Sequence, residues 1–455
     1  MMRSTTQADD SDSNVPFWIR SLCSLVRLGS LARLGSLMAL GSLVGLATLI
    51  PTTRCHADQS LYVLSSAASN VNQSSFDLSK VASTDIASQW KIHKRTLHGG
   101  KQEGVSLVKI DNGMITVSVV PTRGMSILSV EDSQTGERIF GWDSPVKEVV
   151  HPSHIDLESR GGLGWLEGFN EWMVRCGLEF AGHPGKDKFI NNTGDEAEMD
   201  LTLHGKIGNI PASEVELLVQ NKPPYRVTLR GVVSERMFYG PKLKLVTELS
   251  LLPNSDTIEV HDVITNEGAS GQEYQVIYHT NFGAPLLEQD ARVVVAAKEV
   301  WPMNETAAAG ISDFDRYREP QVDFVEQVYL VTPHTGADGT ATAVLMNAAG
   351  DRGASMTWST ASLPHLTIWK NTAAVDDGYV TGIEPGSGFP FNRRVERHYG
   401  RVPKLAPGQS TEFDVSFSYL RTSVDVQKAA AKIKALSANA APTIHSDPPK
   451  NPFAD

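Results

Sequence analysis

Alternation of apolar and polar residues with a period of two runs through most of this chain, and few architectures accommodate it. Leu243, Leu245, Thr247, Leu249 and Leu251 interleave with mostly polar neighbours. Tyr225, Val227 and Leu229 repeat the pattern. Ile258, Val260 and Asp262 continue it with the polar phase unsettled, and Phe413, Val415, Phe417 and Tyr419 close the series. Met114 to Val120 adds a run rich in β-branched residues. Side chains along a strand point alternately to two faces, so such runs put one face on a core and one in water, as in antiparallel sheets. Gly240-Pro241, Pro253-Asn254, Asn266-Glu267-Gly268 and Pro407-Gly408 punctuate the runs with turn residues. A helical period emerges only over 424–437, where Val426, Ala430 and Ile433 form one stripe. There is no α/β alternation and no blade-length repeat, which points to a large sandwich rather than a propeller. The expectation is an all-β domain over 95–422. Residues 58–94, rich in Ser, Ala and Asn, read as a partly ordered lead-in, and 423–455 as a short helix with a disordered Pro-rich tail.

The first 57 residues belong to another class. Arg20, Arg27 and Arg33 precede an apolar stretch from Leu34 to Ile50, then a polar segment ends in Cys55-His56-Ala57. That order is the layout of a secretory signal, and the competing reading is an uncleaved membrane anchor. Export to the periplasm or cell surface is expected, with N-terminal membrane association if the segment stays. Of the cysteines at 23, 55 and 176, cleavage would leave only Cys176, so no internal disulfide is expected. No Cys/His pair has zinc spacing, and no metal site or cofactor is expected. A net charge of −11 argues against a nucleic-acid partner.

Three polar clusters interrupt the β background. "DLTLHGKIGNIP" carries His204 after an alternating run and before a glycine. "YQVIYHTNFGAPLL" carries His279 after a β-type run, with Asn281, Gly283 and Pro285 beyond. "YVTGIEPGSGFPF" carries Glu384 just before a Pro/Gly turn. Each holds one ionisable side chain at a strand end, a rigid position suited to binding and proton transfer. A lone strand-end histidine also serves as a hydrogen-bonded structural residue, and Glu384 could pair with Arg393, Arg394 or Arg397. Arg123, in "PTRGMSI", either touches a ligand or pairs with an acid. "SRGGLGWLEG" is Gly-rich but lacks the spacing and context of a phosphate loop.

"LHGKIGN", "YHTNFG" and "GIEPGSGFP", in this order, resemble the aldose 1-epimerases, the galactose mutarotase-like superfamily. "GGLGWLEGFNEWMVRCGLEFAGHPG" and "HTNFGAPLL" resemble a bacterial branch of mutarotase-like proteins more closely. The resemblance covers roughly residues 100–420. It implies a β-supersandwich with a sugar lying across a concave face. It also implies Glu384 as general base, His279 as general acid and His204 as a group orienting the sugar. Asn170 and Arg175 are the candidates for hydroxyl binding, although their spacing departs from the usual adjacent Asn-Arg pair. The first motif departs too, with Lys206 and Asn209 where Gly and Arg are usual, and "HTNFG" lacks an aromatic after the histidine.

Interconverting anomers removes the C1 hydroxyl proton while protonating the ring oxygen. One base and one acid, expected on opposite sides of the ring, suffice without a cofactor. A histidine can hold the required proton, and desolvation strengthens a carboxylate as a base. Trp165, Trp172, Trp301, Trp358 and Trp369 are candidate walls for stacking on a sugar, and the pair Trp369-Lys370 is expected near the site. The implied partner is a small-molecule or oligomeric carbohydrate. A polysaccharide lyase or a non-catalytic sugar-binding protein on the same fold remains the competing reading.

Overall fold

Period two in the sequence becomes two facing sheets in the computed structural model, which describes residues 58–437 and 441–453. The export signal expected over 1–57, with Cys23 and Cys55, lies outside those residues. One sheet has ten strands, with Thr257–Asn266, Lys242–Leu251 and Val227–Arg236 at its centre. Burial along Lys242–Leu251 alternates without a break. The other sheet has thirteen strands. Its middle runs Gln327–Pro333, His365–Asn371, Val380–Gly386, Gln275–Phe282, Met173–Leu178, Ser126–Asp132. The core lies between the sheets, joining Val117, Ile127, Tyr278 and Ile383 from one to Leu229, Leu245, Phe413 and Phe417 from the other. The chain is thus an all-β supersandwich, as the resemblance implies, with a short C-terminal helix, Ser423–Leu436, whose Thr422 hydroxyl accepts from the Asp425 N–H.

Two expectations about the ends are corrected. The lead-in is part of the sandwich: Gln59–Ser66 pairs with Glu214–Gln220, and Ser75–Asp77 and Lys91–Thr96 extend the other sheet. Leu64 and Ile92 are fully buried, but the next inward position in each strand is polar, Ser66 and Lys94, so no apolar alternation announces either. The tail, expected to be disordered, returns to the sheet. Thr443–Ile444 pairs parallel with Glu299 and Val300, and His445 stacks on Trp301.

Met173–Leu178, Gln275–Phe282 and Val380–Gly386 are buried along their whole length. A strand with both faces buried is covered on both. One face packs on the core, and chain segments around 142–171 and 180–204 cover the other. The candidate site lies under that cover.

Candidate active site

Register decides which side chains meet. His279 lies opposite Val174, and Thr367 lies opposite Glu384. Ile277 faces Gly386 and Asn281 faces Gly382, which brings His279 opposite Glu384. Four strands therefore present Val174, His279, Glu384 and Thr367 in one row on the outer face. Cross-strand neighbours of this kind lie close enough for direct contact.

His279 Nε2 stands 3.4 Å from Glu384 Oε1, with both side chains buried. The other imidazole nitrogen, Nδ1, is 2.7 Å from Asn281 Oδ1. Asn281 is oriented by its own amide N–H, which donates to the Glu171 carbonyl at 3.0 Å. Its oxygen thus faces the ring, so His279 Nδ1 carries the hydrogen and donates it. That leaves a lone pair on Nε2 facing a carboxyl oxygen that has no hydrogen-bond partner. Two unprotonated acceptors at this separation repel, which favours a proton on one of them. Burial pushes Glu384 well above the usual carboxylate range, and the Glu326 carboxylate adds to that push. Burial also drives His279 down to about 4, against the Asn281 hydrogen bond. Both effects favour the neutral forms, a protonated Glu384 beside an uncharged His279.

Gly382, two residues before the glutamate, makes the arrangement sterically feasible. A Cβ there would stand 2.1 Å from Glu384 Oε1. His204 adopts a left-handed backbone, φ +59°, and Gly205 follows at +71°. A Cβ on Gly205 would meet the Phe180 carbonyl oxygen at 2.1 Å, which explains the His-Gly pair physically. His204 Nδ1 donates to the Ala181 carbonyl at 3.1 Å, leaving Nε2 as an acceptor. Burial, reinforced by the neighbouring His279, drives its pKa well down. The two imidazoles sit edge to face, 5.1 Å between centroids.

Trp165, Phe169 and Trp369 surround His279 at centroid distances of 5.7, 5.3 and 5.5 Å. The cavity they bound is about 300 Å³. His183, Glu326, Thr367 and Val328 also line it. Glu326 is held by the Trp369 indole N–H, which donates at 2.7 Å.

Glu384, His279, His204 and Trp369 thus converge. Four other candidates do not reach the cavity. Arg175 precedes Cys176 on the strand facing His279, but its register partner is Tyr278, and both point into the core. There Arg175 pairs with Asp262 and donates to Thr247 Oγ1 at 2.7 Å. Lys370 follows Trp369 and must face the opposite way. Its ammonium donates to the Asp313 and Arg316 carbonyls at 2.7 and 2.6 Å, and burial lowers its pKa to about 8. Asn170 donates to the Val146 and Glu148 carbonyls at 3.1 and 2.7 Å. Arg123 is wholly buried, paired with Glu171 at 2.8 Å, and donates to the Gly168 carbonyl at 3.1 Å. These four hold the scaffold rather than the cavity. Trp172 and Trp358 are core residues, and Trp301 carries the tail. Sequence reasoning missed His183 and Glu326. Glu384 and His279 lie inside Val380–Gly386 and Gln275–Phe282 rather than at the strand ends the sequence suggested, whereas Glu326 does stand at one, just before Gln327–Pro333; no comparable signal marks His183.

The chain matches the family model described as Domain of unknown function (DUF4432) over residues 102–419. Among solved structures, a candidate aldose 1-epimerase from Klebsiella pneumoniae is 39% identical, with a TM-score of 0.78, covering 87% of this chain and 100% of that one. A galactose mutarotase-like protein from Clostridium acetobutylicum is 14% identical, with a TM-score of 0.49, covering 74% of this chain and 100% of that one. No curated protein matches the chain.

Proposed function

Because the chain belongs to the DUF4432 family, within the aldose 1-epimerase-like superfamily, we propose that its cavity interconverts the anomers of an aldose by acid–base catalysis. The observation that carries this reading is the His279–Glu384 pair, 3.4 Å apart inside a cavity of monosaccharide size. The C1 hydroxyl oxygen and the ring oxygen are bonded to the same carbon. Two groups as close as these can therefore serve both oxygens.

The reactive form arises when the carboxyl proton passes from Glu384 to His279. Glu384 then takes the C1 hydroxyl proton, the C1–O bond becomes a carbonyl, the bond from C1 to the ring oxygen breaks, and His279 Nε2 delivers its proton to that oxygen. Rotation about C1–C2 presents the other carbonyl face. Closure reverses the transfers, with His279 taking the proton back and Glu384 returning one to C1 oxygen. Asn281 keeps Nδ1 out of the exchange, and His204 Nε2 accepts from a ring hydroxyl.

The test is anomer exchange in free aldoses, followed by polarimetry or NMR. Glu384→Gln and His279→Asn should each reduce the enzymatic rate by about 10²–10⁴-fold, the usual contribution of a placed proton-transfer group. Sugar binding should survive in both. An undiminished rate in Glu384→Gln would remove the glutamate from the mechanism.

A further inference from the structure

Glu326 lines the cavity without a partner of opposite charge. Its one hydrogen bond among the described residues comes from the Trp369 indole N–H at 2.7 Å, which leaves the second carboxylate oxygen free. Among the same residues no lysine or arginine lines the cavity. Arg175 and Arg123 are locked in buried pairs with Asp262 and Glu171. The three imidazoles, His183, His204 and His279, do not balance the charge either. Burial lowers the pKa of each, that of His183 even against the pull of the Glu326 carboxylate. The cavity thus holds a carboxylate that only a ligand can pair.

Hydrogen-bonding capacity points the same way. Thr367, 1% exposed, and Glu384, 2% exposed, each line the cavity with an oxygen that has no hydrogen-bond partner. His204 Nε2 and the free Glu326 oxygen add two further acceptors. Donors are fewer: the Thr367 hydroxyl itself and the unpartnered Trp165 N–H, since the Glu384 proton faces His279. A ligand suited to this set donates more than it accepts. A hydroxyl offers one hydrogen and two lone pairs, whereas an ammonium offers three hydrogens and no lone pair. Trp165, Phe169 and Trp369 in the cavity wall favour a cation as well, through the negative faces of their rings. Glu326 also bears on the reaction. Its charge opposes ionisation of Glu384, which must release its proton to become the base. A cation seated against Glu326 cancels that opposition.

We infer that the substrate is an aminoaldose, a monosaccharide whose ammonium group pairs with Glu326. The inference rests on the anomerase reading above for the reaction, and on the charge and acceptor set of the cavity for the ligand. The experiment follows anomer exchange by NMR and equilibrium binding by titration calorimetry on the purified protein. The probes are D-glucosamine, D-galactosamine, D-mannosamine and 6-amino-6-deoxy-D-glucose, each beside its parent aldose. The N-acetyl forms of the first three keep the nitrogen but lose its charge. In whichever configuration responds, the aminoaldose should show a kcat/KM about 10-fold above its parent and its N-acetyl form, the lower end for a hydrogen bond to a charged group. Raising the pH until the amine is neutral should remove that advantage. Glu326→Gln should remove it too, and its amide oxygen can still accept from Trp369. Equal kcat/KM for an aminoaldose and its parent, or an advantage that persists in Glu326→Gln, would overturn this inference while the anomerase reading stands. Preferential binding of an aminoaldose without exchange above buffer would overturn the anomerase reading and leave the charge pairing in place. No exchange and no binding preference with any probe would overturn both.

Discussion

A carboxyl group stripped of water and facing a second carboxylate is held in surroundings that oppose its charge, and Glu384 pays that penalty in stability. Its pKa is raised in the folded chain above the ordinary value of about 4.3. A raised acid stabilises the fold fully only below its unfolded pKa, and that contribution is lost as pH rises toward the folded pKa. Glu384→Gln should therefore raise the melting temperature near pH 8 and change it little near pH 3, since its amide can donate to His279 Nε2. An equal shift at both values would show that the carboxyl is not desolvated. His279 contributes with the opposite dependence. Its folded pKa, about 4, lies below the ordinary histidine value, so falling pH between about 6.5 and 4 favours the unfolded chain. For catalysis the pair needs one proton. The kcat/KM profile should fall on the acid side near pH 4, as a second proton binds, and on the alkaline side only above the usual carboxylate range. An acid limb near 6.5, the ordinary histidine value, would show that the His279 imidazole is not desolvated. Gly382 is the third residue-scale constraint. Gly382→Ala forces its Cβ into Glu384 Oε1, and a displacement of that kind should reduce activity by about 10²-fold with the far-UV circular dichroism unchanged.

Strand parity explains both what was legible in the sequence and what was not. Alternation in Lys242–Leu251 and Ser410–Leu420 gave the layers directly, because each of those strands has one wet face. The central strands of the site are buried on both faces, so hydrophobicity says nothing about direction there. His279 and Glu384 were still recognisable, from the turns beside them and from motif resemblance. Arg175 was assigned to the sugar through the family resemblance and Lys370 as the neighbour of Trp369, but one residue along a strand reverses the face. A signal for Arg175 did exist: Asp262 occupies an inward phase of Thr257–Asn266, and a buried carboxylate demands a cation. Removing one partner of a buried pair typically costs about 3–5 kcal/mol. Arg175→Met should lose that much in urea unfolding while the folded fraction keeps its KM. A raised KM with unchanged stability would return Arg175 to the sugar.

At the scale of the molecule, the sandwich is finished by segments whose sequences advertise little. The Gln59–Ser66 strand pairs along Glu214–Gln220, and its Leu64 is completely buried. Its neighbour on the outer side is only the two-residue Val71–Asn72. An exposed sheet edge invites pairing with other chains, so such a strand protects the longer one behind it. Polar residues are tolerated along this edge because only one face meets the core, which is why its composition resembled a linker. The site lies on the other sheet and depends on this edge only through the shared core. A chain shortened to begin at residue 67 should therefore melt about 5–10 °C lower, from the lost Leu64 packing and strand pairing, and associate on size-exclusion chromatography. Its monomeric fraction should retain the anomer-exchange rate of the full chain. If instead stability and association are unchanged, the lead-in is an accessory to the sandwich; if the monomer folds but is inactive, the two sheets are coupled more tightly than their separate registers require.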